Sequence, residues 1–145
     1  MANSSSGLLF TLMLCFPAIQ LFGGETSFPA KVNGVAVRYT ISTEEIEATP
    51  KWIESDSSPP VSARKAIDMA TVKLPDVLFE LFEKRGVRKE WEVDHVCLKR
   101  FDERWYWLVS FTRVIPPGAI GSGIQDESQI VVLMNGKVLL PKIKE

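Results

Sequence analysis

The sequence predicts an α+β fold, with a helical region packed on one face of an antiparallel β-sheet meander. Three observations carry this. Apolar residues recur at helical spacing over residues 61–74. From Trp91 onward the apolar period falls to two. Asn-Gly pairs at Asn33-Gly34 and Asn135-Gly136 mark tight hairpins. Nothing helical separates the last strands, so a parallel α/β arrangement is not expected. The chain has 145 residues with 46% hydrophobic and 24% charged residues, enough for one domain with a core and too apolar for a disordered tail.

Residues 1–24 carry no Asp, Glu, Lys or Arg, so every charge falls in residues 25–145. Residues 8–22 are almost entirely apolar, about 15 positions where a stable membrane span needs ~20. Gly23, Gly24 and Thr26 supply small residues where a signal peptidase would cut. The segment reads as a cleaved export signal, with an uncleaved amino-terminal anchor or a buried helix as alternatives. No Lys or Arg precedes the run, Pro17 interrupts it, and Leu14 before Cys15 makes a poor lipoprotein site. The expected destination is the periplasm or the exterior, with membrane contact confined to an uncleaved residues 8–22.

Residues 25–34 read as a linker and turn, being small, polar and interrupted by Pro29. Residues 35–145 then form a single domain. Val35, Val37, Tyr39 and Ile41 alternate as one face of a half-buried strand. Residues 43–53 fit either a short helix or an edge strand ending at Trp52-Ile53. Residues 54–60 are a loop. Ser62 is a suitable cap for a helix whose stripe is Ala63, Ala66, Ile67, Ala70 and Leu74. Pro75 is expected to end or kink it and to open a second segment bearing Val77, Leu78, Leu81 and Phe82, with Gly86 as its stop.

In the following strand Trp91 and Val93 have one parity, Val96 and Leu98 the other. Bringing all four to the core needs one extra residue, which predicts a β-bulge near Asp94-His95. Residues 101–104 turn. Trp105, Trp107, Val109 and Phe111 then share one side, with Tyr106 and Leu108 on the other, as in a central strand covered on both sides. Residues 116–128 form a Gly- and Pro-containing loop. Residues 129–134 and 137–140 flank the last hairpin, and Pro141 marks an edge or frayed end.

Three stretches resemble the PepSY and cystatin-like group of small exported bacterial domains. Ser62-Ala63-Arg64-Lys65-Ala66-Ile67-Asp68-Met69-Ala70 is similar to the opening of a PepSY helix. Trp105-Tyr106-Trp107-Leu108-Val109-Ser110-Phe111 is similar to the aromatic strand that follows it. Val131-Val132-Leu133-Met134-Asn135-Gly136-Lys137-Val138-Leu139 is similar to the closing hairpin. The resemblance spans residues 62–140. The tryptophan-rich strands, the Leu-Met before the turn and the Pro75 break depart from the pattern. It implies an exported protein, some relatives of which restrain peptidases, without catalysis or a cofactor.

The chemistry-bearing residues point the same way. His95 and Cys97 share a strand face, but no third orienting group accompanies them. Asp94, His95, Cys97, Asp102 and Glu103 do not converge as metal ligands, since neighbours on a strand face oppositely. Residues 118–123 are glycine-rich without the following helix or Lys of a phosphate loop. A net charge of −1 argues against nucleic acid. Aromatic and cationic residues gather instead around Tyr106, with Lys99, Arg104 and Arg113 nearby. These four are the candidate partner-binding residues, with the loop at residues 116–128 as a second contact surface. The expected protein is a non-enzymatic exported module that docks a peptide or protein partner by surface contact or strand addition. The rivals are a cystatin-like domain with a ligand or catalytic pocket between helix and sheet, lined by His95 and Cys97, and a purely structural envelope domain. No cofactor is expected.

Overall fold

A computed structural model describes residues 24–82, 90–119 and 126–142. In chain order these form β1 (Glu25–Val32), β2 (Val35–Ser42), α1 (Thr43–Glu47), α2 (Ala63–Phe82), β3 (Trp91–Phe101), β4 (Arg104–Arg113), β5 (Glu127–Leu133) and β6 (Pro141–Lys142). The fold is α+β, with two antiparallel three-stranded sheets of order β1-β2-β6 and β3-β4-β5. The proposed export signal or anchor over residues 8–22 lies outside the described residues, as do Gly86 and most of the glycine-rich loop. Among the described residues no helix is long and apolar enough to cross a membrane.

The first sheet corrects the reading of residues 25–34. They are not a linker: Glu25–Val32 pairs along its whole length with β2. Thr26, Phe28, Ala30 and Val32 are buried while the residues between them are exposed, an alternation that packs one side of a strand. Pro29 is exposed and sits on the outermost strand, where a missing N–H costs least. The turn stands where the sequence put it. Asn33 and Gly34 both have positive φ, 49° and 78°, the backbone that twists two strands into a tight hairpin. Val37, Tyr39 and Ile41 carry the buried face of β2, while Val35 stays exposed.

Residues 43–53 divide into the single turn of α1 and an irregular stretch. Ser42 and Glu45 form a capping box, and Ile46 is buried. Hydrogen bonds from Lys137 and from the Ser42 backbone hold the Glu45 carboxyl below the usual carboxylate range. The same Lys137 contact ties α1 to the turn that follows β5.

Helix α2 starts as the sequence predicts. The Ser62 hydroxyl accepts from the Lys65 N–H at 3.2 Å. Ala66, Ala70, Leu74, Val77 and Leu78 form the buried stripe, with Ala63 and Ile67 partly buried beside it. The small Ala66 and Ala70 let the helix approach the sheet closely. Pro75 does not end the helix, which runs through it to Phe82. A proline within a helix frees the carbonyl four residues earlier, here that of Thr71. Thr71 and Pro75 both lie on the exposed side, where water can satisfy that group.

The second sheet is a meander with β4 at its centre. The bulge falls where predicted: Val93 opposes Phe111 and His95 opposes Ser110, so Asp94 is the extra residue. Register then assigns the faces. Val93, Val96 and Leu98 lie with Trp107, Val109 and Phe111. This side meets α2, and the Trp107 Nε1–H donates to the Val61 carbonyl at 2.7 Å. On the other side Phe28 of β1 packs against Phe101 and Tyr106. The second sheet is thus the middle layer between α2 and the first sheet. The Tyr39 hydroxyl donates to the Gln129 carbonyl, and Lys31 N–H donates to Gln129 Oε1 at 3.1 Å. These bonds lock the two sheets together.

The closing hairpin is shorter than the sequence suggests. One bridge, Val132 to Val138, replaces a full ladder. The chain then leaves β5, and Pro141 pairs opposite Tyr39 at the edge of the first sheet. Proline cannot donate to a ladder, so an edge position in the other sheet suits it.

Candidate functional site

Among the described residues β3 is hydrogen-bonded on one side, to β4. Its other side presents the backbone of an 11-residue strand. Glu92, Val93, Asp94, His95, Lys99 and Arg100 are exposed, and Val96, Cys97 and Leu98 half-buried. Edges of this length are templates for pairing, and proteins blunt them with bulges and charge. Here the bulge lies at Asp94, whose carboxylate hydrogen-bonds the His95 ring at 2.8 Å. From Val96 onward the strand runs straight to Phe101.

A cleft of about 380 Å³ opens at the carboxyl end of β3, lined by Lys51, Trp52, Ile53, Arg100, Glu103 and Trp105 among others. Trp52 meets Trp105 edge-on at 5.3 Å between ring centroids. The Arg100 guanidinium lies 5.6 Å from the centre of the Trp105 ring, and its Nε donates to the Asp102 carbonyl at 2.6 Å. These contacts hold one cation over one aromatic ring. Lys51 and Glu103 pair at 3.5 Å with both side chains exposed, a contact worth little in water. The cleft therefore offers apolar aromatic walls and a fixed guanidinium.

The indole nitrogen of Trp52 is buried with no hydrogen-bond partner. A buried orphan donor costs about 1–3 kcal/mol. Trp52→Phe keeps an aromatic wall and removes the donor. Its melting temperature is expected to equal or exceed that of the parent, whereas Trp52→Ala melts lower. A Phe variant melting as low as the Ala variant would show that the indole nitrogen is satisfied.

The four sequence-predicted residues do not form one site. Lys99 is exposed on β3, directly opposite Tyr106. Tyr106 is not on an open face: its ring packs 4.5 Å from Phe28, and partial burial raises its phenol above the usual value. Arg104 shares that face but donates to the Thr49 carbonyl. Arg113 points to the opposite face at the far end of β4, about 30 Å along the strand from Arg104, and pairs with Asp126. Lys99 alone sits on the open edge. Arg100 and Trp105 adjoin Lys99 and Tyr106 in sequence but lie on the opposite face of the sheet. Trp52 was a weak signal, an exposed-looking aromatic beside Ile53 ahead of a polar loop.

His95 and Cys97 face away from α2, toward the side that carries Tyr106 and Leu108. They cannot line a pocket between helix and sheet. Of the loop at residues 116–128, the last positions belong to β5, and Ser128 is fully buried. Among the described residues no three His, Cys, Asp or Glu side chains converge as metal ligands.

These features define an α+β domain of two stacked sheets and a covering helix, in which β3 is an edge strand among the described residues. Comparison with protein-family models, curated proteins and solved structures finds no match.

Proposed function

We propose that the protein is a non-enzymatic binding module that docks an extended peptide or protein segment along the open edge of β3. The observation that carries this is the 11-residue strand bonded on one side among the described residues. Strand addition takes affinity from main-chain hydrogen bonds and specificity from alternate side chains. The cleft beside Arg100 and Trp105 is placed to receive one side chain of the added strand. The near-neutral charge favours this mode over nucleic-acid binding. In this reading the uncharged residues 1–24 direct export. The order of α2 followed by the β3-β4-β5 meander supports a PepSY-like or cystatin-like relationship, and with it a link to peptidase regulation.

Peptide display on the immobilised full-length chain tests the docking mode. An enriched peptide is resynthesised with its odd or its even backbone amides N-methylated. In a strand every second N–H faces the neighbour, so one methylated set is expected to lose binding and the other to keep it. Equal binding by both sets, or no enrichment, would overturn strand addition.

A further inference from the structure

We infer that the strand that docks on β3 is β3 of a second copy of this chain, in a symmetric antiparallel pair. The inference rests on the reading of β3 as the docking edge and names its partner. The strand is polarised. Glu92 and Asp94 lie in its first four residues, Lys99 and Arg100 in its last three, and the four between carry no carboxylate, Lys or Arg. A parallel neighbour of the same sequence sets like charges side by side. An antiparallel copy sets acidic half against basic half, twice.

The register sharpens this. Asp94 is skipped in the pairing with β4. Counted the same way against a second β3, with the two-fold axis at Val96, His95 meets Cys97 and Val93 meets Leu98. Glu92 then meets Lys99, and Trp91 meets Arg100. Each pair also shares a face, as the pairing with β4 requires: Val93, Leu98, Trp91 and Arg100 lie on the α2 side, Glu92, Lys99, His95 and Cys97 on the other. A centre of Val93, Val96 and Leu98 with two His95–Cys97 pairs is thus flanked by two Glu–Lys pairs and two Trp–Arg contacts. In this register each Asp94 is an unpaired extra residue opposite the Cys97–Leu98 step of the other copy, as it is opposite the Ser110–Phe111 step of β4. Neither Glu92 nor Lys99 forms an ion pair among the described residues, and both are exposed. The product is a continuous six-stranded sheet across an isologous interface.

Charge exchange tests this in the full-length chain by sedimentation equilibrium. The parent is expected to form a dimer by about 1 mM chain. Glu92→Lys and Lys99→Glu each turn two attractive pairs into repulsive ones and are expected to weaken the dimer roughly tenfold or more. Mixing the two variants restores opposite charges at both positions, so a heterodimer of parental strength is expected. The double variant on one chain likewise regains the homodimer. A parent that stays monomeric, a dimer indifferent to both variants, or a mixture that fails to recover would each overturn self-pairing. None of these touches the N-methylated peptides, whose selective binding would still uphold the edge as a docking site.

Discussion

Trp107→Ala is expected to lower the unfolding free energy by about 3–5 kcal/mol, among the largest losses a single truncation can cause. The side chain is 8% exposed and fills the space between β4 and the start of α2. Truncation leaves a cavity and also strips the Val61 carbonyl of its donor. Trp107→Phe separates the two effects. It keeps most of the apolar volume and loses the hydrogen bond, so it is expected to cost about 1–3 kcal/mol. Urea denaturation of parent and both variants measures this. If the Phe variant falls within 0.5 kcal/mol, roughly the scatter of surface substitutions, the bond does not fasten helix to sheet.

Tyr39→Phe has the second large effect. Tyr39 is fully buried in β2, and its hydroxyl satisfies the Gln129 carbonyl across the sheet interface. Without the hydroxyl that carbonyl loses its cross-sheet donor, at an expected cost of about 1–3 kcal/mol. A pH dependence follows. Burial pushes the Tyr39 phenol above its ordinary value of 10.0. The folded pKa is thus raised above the unfolded one. The stability it contributes is complete below about pH 10 and is lost as pH rises beyond that, because the unfolded chain sheds the proton first. The parent is expected to lose up to about 1.4 kcal/mol per pH unit in that range through this group. Tyr39→Phe flattens the slope and leaves a smaller residue from the half-buried Tyr106. An identical alkaline slope in both proteins would contradict the assignment.

The sequence was most legible where a local pattern had a single structural solution. The parity change between Val93 and Val96 leaves a bulge as the simplest way to keep both apolar residues on one face. Apolar residues at both parities from Trp105 to Phe111 need cover on two sides, and β4 receives it from α2 and β1. Asn33-Gly34 needs positive φ twice and has it. Local signals mislead where tertiary structure decides the outcome. Pro29 and the small residues around it mask the alternation of Thr26, Phe28, Ala30 and Val32, so a strand reads as a linker. Whether Pro75 ends or kinks the helix is not decided locally, because the exposure of the carbonyl it frees depends on where α2 lies.

Long-range pairings left no trace in the chain. Nothing near Pro141 shows that it will sit opposite Tyr39, about 100 residues earlier. The cover over Tyr106 is Phe28, which belongs to the segment that reads as a linker in sequence. With β1 accounted for, the face beside Tyr106 closes, and β3 is an edge strand among the described residues. Lys99 carries over from the sequence reading, joined by Arg100, Trp105 and Trp52.

Backbone amide exchange over β3 tests the central claim most directly. The measurement uses full-length protein at concentrations where it is monomeric, with and without an enriched peptide. Edge amides that face a docked strand gain hydrogen-bond partners, so exchange within residues 91–101 is expected to slow when the peptide binds. Slowing confined to the exposed flank of α2 around Met69 and Val72, with residues 91–101 unchanged, would contradict the account.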